Sequence, residues 1–72
     1  MRVDIRENLQ EAIHYRAYLD GVEMSRRCFA ADDVEGWVLL YKIDRDGRYY
    51  SEQGVIATEK LTGAVRLERM ED

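Results

Sequence analysis

Alternating apolar and polar residues on both sides of a two-residue turn most constrain what this chain can fold into. In the segment AIHYRAYLDGVEMSRRCFA, one parity is occupied by Ile13, Tyr15, Ala17 and Leu19. A repeat of two places such residues on one face of a β-strand. Asp20-Gly21 follows, and it suits the two positive-φ positions of a type I′ turn. The segment therefore predicts a β-hairpin in which Leu19 pairs with Val22.

The second strand of this hairpin admits two registers. Strict alternation from Val22 points Arg26 into the core and Phe29 outward. A β-bulge near Ser25–Arg27 reverses both and turns Cys28 outward. The bulge is the favoured interpretation, because burying the phenylalanine ring is worth about 2 kcal/mol and burying an unpaired arginine is costly. Which of Arg26, Cys28 and Phe29 faces the core stays open.

The segment GWVLLYKIDRDGRYY predicts a strand that is apolar on both faces. One face carries Trp37, Leu39, Tyr41 and Ile43. Val38 and Leu40 make the opposite face apolar too, as in a central strand that is covered on both sides. The turn DRDG then leads into a tyrosine-rich strand over Arg48–Ser51.

The two ends of the chain add further short elements. VIATEKLTGAVRLERM alternates as two strands, or as one strand bent at Thr62-Gly63, where a missing Cβ permits a corner. Val3 and Ile5 alternate as an edge strand does, and ENLQEAI has the apolar spacing of one or two helical turns.

These elements predict a mainly β fold. We expect five or six short antiparallel strands in a small barrel or twisted sheet of SH3-like or OB-like size, with one short helical turn near the N-terminus. Residues 1–72 are expected to form a single domain, since no proline, low-complexity tract or repeat divides them. A single cysteine cannot form an internal disulfide, and so small a core gains stability from association with another chain.

The charge pattern disfavours nucleic acid and membrane as partners. The net charge is −4, and acidic and basic residues are interleaved along the chain. This leaves no long basic footprint for a phosphate backbone. A nucleic-acid surface would have to combine the tyrosines with Arg26, Arg27, Lys42, Arg45 and Arg48. No segment approaches the length of a membrane span or has the apolar centre of a signal peptide, so a reducing cytoplasm is the expected location.

The only cysteine and the only histidine do not predict a nucleophile. Continuing the hairpin from Leu19 and Val22 places Ile13 opposite Cys28 and His14 opposite Arg27, on opposite faces. A thiol without a base behaves as a small apolar residue. We therefore expect no catalytic residue and no cofactor, and we predict that the chain is not an enzyme.

The acidic residues predict turns rather than a metal site. Aligning DRDG on an EF-hand loop by Gly47 puts Lys42 and Gln53 where the loop requires acidic ligands. One cysteine and one histidine cannot supply the four ligands of structural zinc. ADDVEG fits a solvated connection in which Gly36 takes a positive φ. The alternative for that run, a weak calcium site or a hydrolytic carboxylate pair, lacks further ligands.

The string YRAYLDGVEMSRRCFAADDVEGWVLLYKIDRDGRYY resembles small uncharacterised proteins encoded by tailed phages and prophages. The shared pattern is YLDGV, a polar stretch into RC, then AD and EGW, a tyrosine strand, a DG turn and a closing LTGAVRL. It covers most of the chain and contains no catalytic motif. The resemblance implies a phage or prophage origin and a role in virion assembly, and it assigns no functional residues.

The expected function is therefore non-enzymatic and acts through protein–protein contacts, with self-association and a virion-associated location. The alternative is an acidic accessory protein that binds and inhibits a host factor. Aromatic and apolar side chains anchor protein interfaces. The residues predicted to form the interface are Val38, Leu40, Tyr49 and Tyr50.

Overall fold

A computed structural model describes residues 1–24 and 27–70 of the chain. Its elements in chain order are β1 (Arg2–Asp4), α1 (Leu9–Ala12), β2 (Tyr15–Leu19), β3 (Val22–Glu23), β4 (Cys28–Asp32), β5 (Trp37–Tyr41), β6 (Ser51–Glu52), β7 (Val55–Ile56), β8 (Thr58–Thr62) and β9 (Val65–Arg69). The predicted N-terminal order, an edge strand followed by one helical turn, is confirmed. The helix α1 is neither long nor apolar enough to cross a membrane, and no other helix occurs in the described ranges.

The strands form three antiparallel sheets. The largest has the order β1-β4-β5-β8, the second β3-β2-β9, and the third is the hairpin β6-β7. The predicted mainly β fold is confirmed, although the strands are shorter and more numerous than expected. In the described part of the chain they form separate twisted sheets rather than a closed barrel.

The hairpin turn predicted at Asp20-Gly21 is present. Asp20 and Gly21 have φ values of 50° and 84°, and Leu19 pairs with Val22. The pairing ends soon afterwards, because β3 stops at Glu23 and the chain crosses to the larger sheet. The longer hairpin, with Ile13 opposite Cys28 and His14 opposite Arg27, is therefore wrong.

The strand β4 carries a bulge at Phe29, two residues beyond the predicted range Ser25–Arg27. Cys28 pairs with Leu40 and Ala30 pairs with Leu39, so Phe29 is the extra residue. Phe29 is buried as the favoured register requires. Cys28 is not turned outward, however, because it packs against the core. Ser25 and Arg26, on which the predicted bulge and the orientation of Arg26 depend, lie outside the described residues.

The core lies between the two larger sheets. Its buried members are Ala17, Leu19, Ala31, Val38 and Leu40. The strand β5 contributes Val38 and Leu40 from one face, and its other face carries the half-buried Trp37, Leu39 and Tyr41. Because β5 pairs with both β4 and β8, its predicted central position is confirmed.

The predicted corner at Gly63 joins the two larger sheets. The N–H of Gly63 donates to the carbonyl of Gly36 at 3.0 Å, so two turns meet there. A Cβ built on Gly36 would lie 2.7 Å from the Gly63 carbonyl oxygen. The carboxylate of Asp20 accepts a hydrogen bond from the N–H of Ala64 at 3.0 Å. The β2-β3 turn therefore also anchors this corner.

Candidate protein-contact surface

Residues 42–57 leave the larger sheet and return to it. Tyr41 pairs directly with Thr58, so these residues extend beyond the β5-β8 hairpin as what we call the arm. The arm contains an isolated bridge between Ile43 and Tyr49 and the hairpin β6-β7. The radius of gyration is 12.4 Å, compared with about 11 Å for a compact domain of this length. An elongated shape is consistent with such an extension.

Two polar turns shape the arm. In the first, the Asp44 carboxylate accepts hydrogen bonds from the N–H groups of Asp46 and Arg48 at 2.9 and 3.0 Å. This confirms DRDG as a turn capped by a carboxylate. In the second, Gln53 and Gly54 have φ values of 52° and 81°, which a tight hairpin turn requires.

The arm presents apolar side chains to solvent. Its exposed apolar residues, which we call the arm surface, are Ile43 (42%), Tyr49 (55%), Val55 (68%) and Ile56 (49%). Single exposed apolar residues are ordinary, but grouped ones mark contact sites. The others in the described ranges lie apart from the arm: Met1, Leu9 and Ile13 at the ends of α1 and of the chain, Val22 in β3 and Val34 in the turn after β4.

An open groove of about 610 Å³ separates the hairpin β6-β7 from the larger sheet. Phe29 and Tyr41 line the sheet side of the groove, and their rings stack with centroids 4.4 Å apart. Tyr49 meets the ring of Tyr41 edge-on at 5.6 Å. The arm surface therefore continues into an aromatic floor.

A buried carboxylate fixes the rim of this groove. Asp4 is 3% exposed, and it accepts hydrogen bonds from Nε and Nη2 of Arg6 at 3.1 and 2.9 Å. The Arg6 guanidinium carbon lies 4.5 Å from the Phe29 ring centroid. The side-chain hydrogen bonds from Arg6 hold the pKa of Asp4 below its ordinary value. Sequence reasoning missed this pair, because an Asp-x-Arg spacing is common and indicates no ion pair by itself. Only the burial of the Asp4 carboxylate in β1 makes the pair recognisable.

Asp4→Asn should make the free energy of unfolding less dependent on pH in the acidic range. A carboxyl group whose pKa is lowered by folding adds stability above its unfolded value of about 3.9, and this stability is lost as the pH falls through the folded value. We expect a loss of about 1 kcal/mol at neutral pH, discounted because Arg6 is 55% exposed, and a shrinking loss below about pH 4. Urea unfolding from pH 7 to pH 3 measures it. The control is Glu7→Gln, and a loss that is independent of pH would contradict this assignment.

The residues predicted to form an interface separate into two groups. Val38 and Leu40 are 0% and 1% exposed, so their assignment to a surface is corrected: the apolar face of β5 that they occupy is the core itself. Tyr49 belongs to the arm surface, and Tyr50 is half-buried beside it. A contact role for these two tyrosines stays a prediction.

Several cations near the aromatic rings, Arg2, Arg6 and Arg66, are also paired with acids. Arg2 and Lys60 lie 5.8 and 5.4 Å from the Trp37 ring centroid. Arg2 also forms ion pairs with Asp4 and Glu7 at 3.6 and 3.2 Å. Each contact with an acid lowers the positive potential that a phosphate backbone would meet. This arrangement gives little support to a nucleic-acid surface.

The Cys28 thiol has no activating contact in the described residues. Its Sγ–H donates to the carbonyl of Ala30 at 3.1 Å, and burial raises the pKa of the thiol. A raised pKa leaves little thiolate at neutral pH. Residues 1–24 and 27–70 contain no group of three or more metal-binding side chains.

The acidic run after β4 forms a capped turn. The Asp32 carboxylate accepts hydrogen bonds from the N–H groups of Val34 and Glu35 at 2.8 and 2.9 Å, and Gly36 has a φ of 76°. The backbone hydrogen bonds from Glu35 and Val34 lower the pKa of Asp32. The prediction of a turn with a positive-φ glycine is confirmed.

Comparison of the chain with family models, curated proteins and solved structures found no match in any of the three.

Proposed function

We propose that this chain is a non-enzymatic contact protein of the phage or prophage type, which binds an assembly partner through its arm and associates with itself. The observation that carries the proposal is the arm surface: four exposed apolar side chains lie within this one extension. The resemblance to tailed-phage proteins supports a role in virion assembly, in the bacterial cytoplasm and on the particle.

The energetics of the arm favour a bound state. A two-stranded hairpin such as β6-β7 is marginal in water when it packs against little else. Full burial of a valine or isoleucine side chain is worth roughly 1.5–3 kcal/mol. Val55 is 68% exposed and Ile56 is 49% exposed. A partner that covered these two side chains would gain part of this burial free energy.

The arm is suited to binding because its contact residues are separate from the core, so that a partner can bind without disturbing the core. Interfaces draw most of their affinity from a few central anchors, often tyrosine, tryptophan or arginine, inside a polar rim. In the arm, Tyr49 is an anchor of that type. The arm balances three acidic residues against three basic ones: Asp44, Asp46 and Glu52 against Lys42, Arg45 and Arg48. A partner surface of mixed or neutral charge therefore suits it best.

The double substitution Val55→Ser with Ile56→Ser should abolish co-sedimentation of the protein with phage particles. The two serines remove apolar contact area at the tip and leave the core untouched, so thermal unfolding should change little. Particles produced in the native host are sedimented, and the protein is quantified in the pellet. The matched control is Val34→Ser, which alters an exposed valine outside the arm.

Each outcome of that experiment has a distinct meaning. Loss of the double variant from the pellet, with the control retained, supports assembly through the arm. Equal recovery of all three proteins would overturn the role of the arm. If the wild-type protein stays out of particles and is recovered with one stoichiometric soluble host protein, the alternative function, inhibition of a host factor, replaces assembly.

A further inference from the structure

We propose that two copies of this chain associate through the open edge of β9, so that β3-β2-β9 continues into the same three strands of the second copy. This inference rests on the self-association in the proposed function, and it names the surface responsible. The joint is an antiparallel pairing of Val65–Arg69 with itself about a two-fold axis.

The first observation is that the edge of β9 away from β2 pairs with no other strand of the described residues. The N–H of Met70 donates to the carbonyl of His14, and the N–H of Asp20 donates to the carbonyl of Ala64. Bonded positions alternate in an antiparallel ladder, so even-numbered residues of β9 bond to β2. The backbone groups of Val65, Leu67 and Arg69 therefore point away from β2. No described strand pairs with that side of β9.

The second observation is that the sequence of β9 complements itself in charge. A fully overlapping antiparallel pairing places Leu67 opposite the Leu67 of the second copy. It also places Arg66 opposite the second copy's Glu68, and it does so twice because of the symmetry. Opposite charges at directly facing positions stabilise a strand pair.

The same charges select one register. Symmetry and the pleat allow the pairing to move only by two residues at a time. A shift in one direction places Arg66 opposite the Arg66 of the second copy. A shift in the other direction places Glu68 opposite the Glu68 of the second copy. Like charges that face each other directly are destabilising, so the centred register is favoured over both neighbours.

The other open edges are less suitable for pairing with a second copy. The strand β8 is equally long, but Lys60 is its central residue, so full overlap places two lysines opposite each other. The strand β1 has three residues, and its Asp4 carboxylate is committed to Arg6. The strand β3 has only two residues.

The side chains of β9 are already placed for this pairing. The Nη1 of Arg66 lies 2.6 Å from Oε2 of Glu68, so the two charges share one face within reach of each other. The Arg66 guanidinium carbon lies 4.2 Å from the Tyr18 ring centroid, which limits its motion. Val65 and Leu67 are half-buried on the core side, and pairing would cover the rest of their surface.

A charge-swap series tests the register. Arg66→Glu and Glu68→Arg each create facing like charges across the axis, and we expect each to weaken dimerisation about tenfold or more. The double swap restores two opposite pairs and should return the dissociation constant to within about threefold of the wild-type value. Sedimentation velocity over a micromolar concentration series measures all four proteins, and urea unfolding checks that their folds are equally stable.

Arg69→Pro tests the edge independently of charge. Proline removes an N–H that points to the open edge, so the substitution should block pairing while the ladder to β2 stays intact. A wild-type protein that remains monomeric overturns this inference, and so does association that none of the variants weakens. Particle binding through the arm is read separately in the pellet, so failure of the β9 joint and failure of the proposed function are distinguishable.

Discussion

Leu40→Ala should lower the free energy of unfolding by about 3 kcal/mol, the largest single-site loss that we expect outside the glycines. Leu40 is 1% exposed at the centre of the cluster that joins the two larger sheets. Removing three carbon atoms there loses their transfer free energy and leaves a cavity that two sheets cannot close. A domain of this length has a total stability of only about 4–11 kcal/mol, so the variant should be close to unfolding at 37 °C.

Urea unfolding at 25 °C measures the loss, and thermal unfolding should show a midpoint lower by about 15 °C. The control is Val34→Ala, which shortens a valine that is 79% exposed and should change stability by less than about 0.5 kcal/mol. If Leu40→Ala instead leaves stability intact and weakens association, Leu40 belongs to an interface and the core described above is wrong.

Gly36→Ala should cost about 3 kcal/mol, whereas Gly47→Ala should cost only about 1 kcal/mol. The two glycines have nearly the same φ, 76° and 77°, so the penalty for a left-handed alanine is shared. They differ in their surroundings. A Cβ on Gly36 meets the Gly63 carbonyl oxygen at 2.7 Å, and a Cβ on Gly47 meets nothing within 4 Å.

Relieving the clash at Gly36 requires the turn to move away from the corner at Gly63. This movement breaks the hydrogen bond from the N–H of Gly63 to the carbonyl of Gly36, which adds about 1 kcal/mol to the strain. Because both variants are measured against the same parent, the difference in their urea midpoints isolates the close approach. Equal losses for the two variants would mean that the turns do not meet as described.

Local patterns in the sequence predicted the local structure well. The Asp20-Gly21 turn, the capped turn at Asp44 and the corner at Gly63 follow from a few neighbouring residues whose backbone preferences are strong. Their prediction required no knowledge of the sheet order. The central position of β5 was also predictable, because a strand that is apolar on both faces needs cover on both faces, which is typical of strands in the interior of a sheet.

The features that could not be predicted from the sequence depend on pairing between strands that are far apart in the chain. The apolar pattern of β5 does not say which face meets the second sheet, and so Val38 and Leu40 were assigned to an interface. The face on which Cys28 lies depends on whether β4 pairs with β2 or with β1 and β5. That pairing is decided by contacts between residues far apart in the chain. The arm could not be predicted for the same reason. Only the pairing of Tyr41 with Thr58 shows that the residues between them leave the sheet.

The arm joins the sheet at two adjacent strand ends, and every residue of the cluster between the larger sheets lies outside residues 42–57. Mutations on the arm surface can therefore accumulate without a matching change in that cluster. Under the proposed function, selection for a new partner would therefore act on different residues from selection for a folded chain. The contact surface could then diverge while the scaffold stays the same.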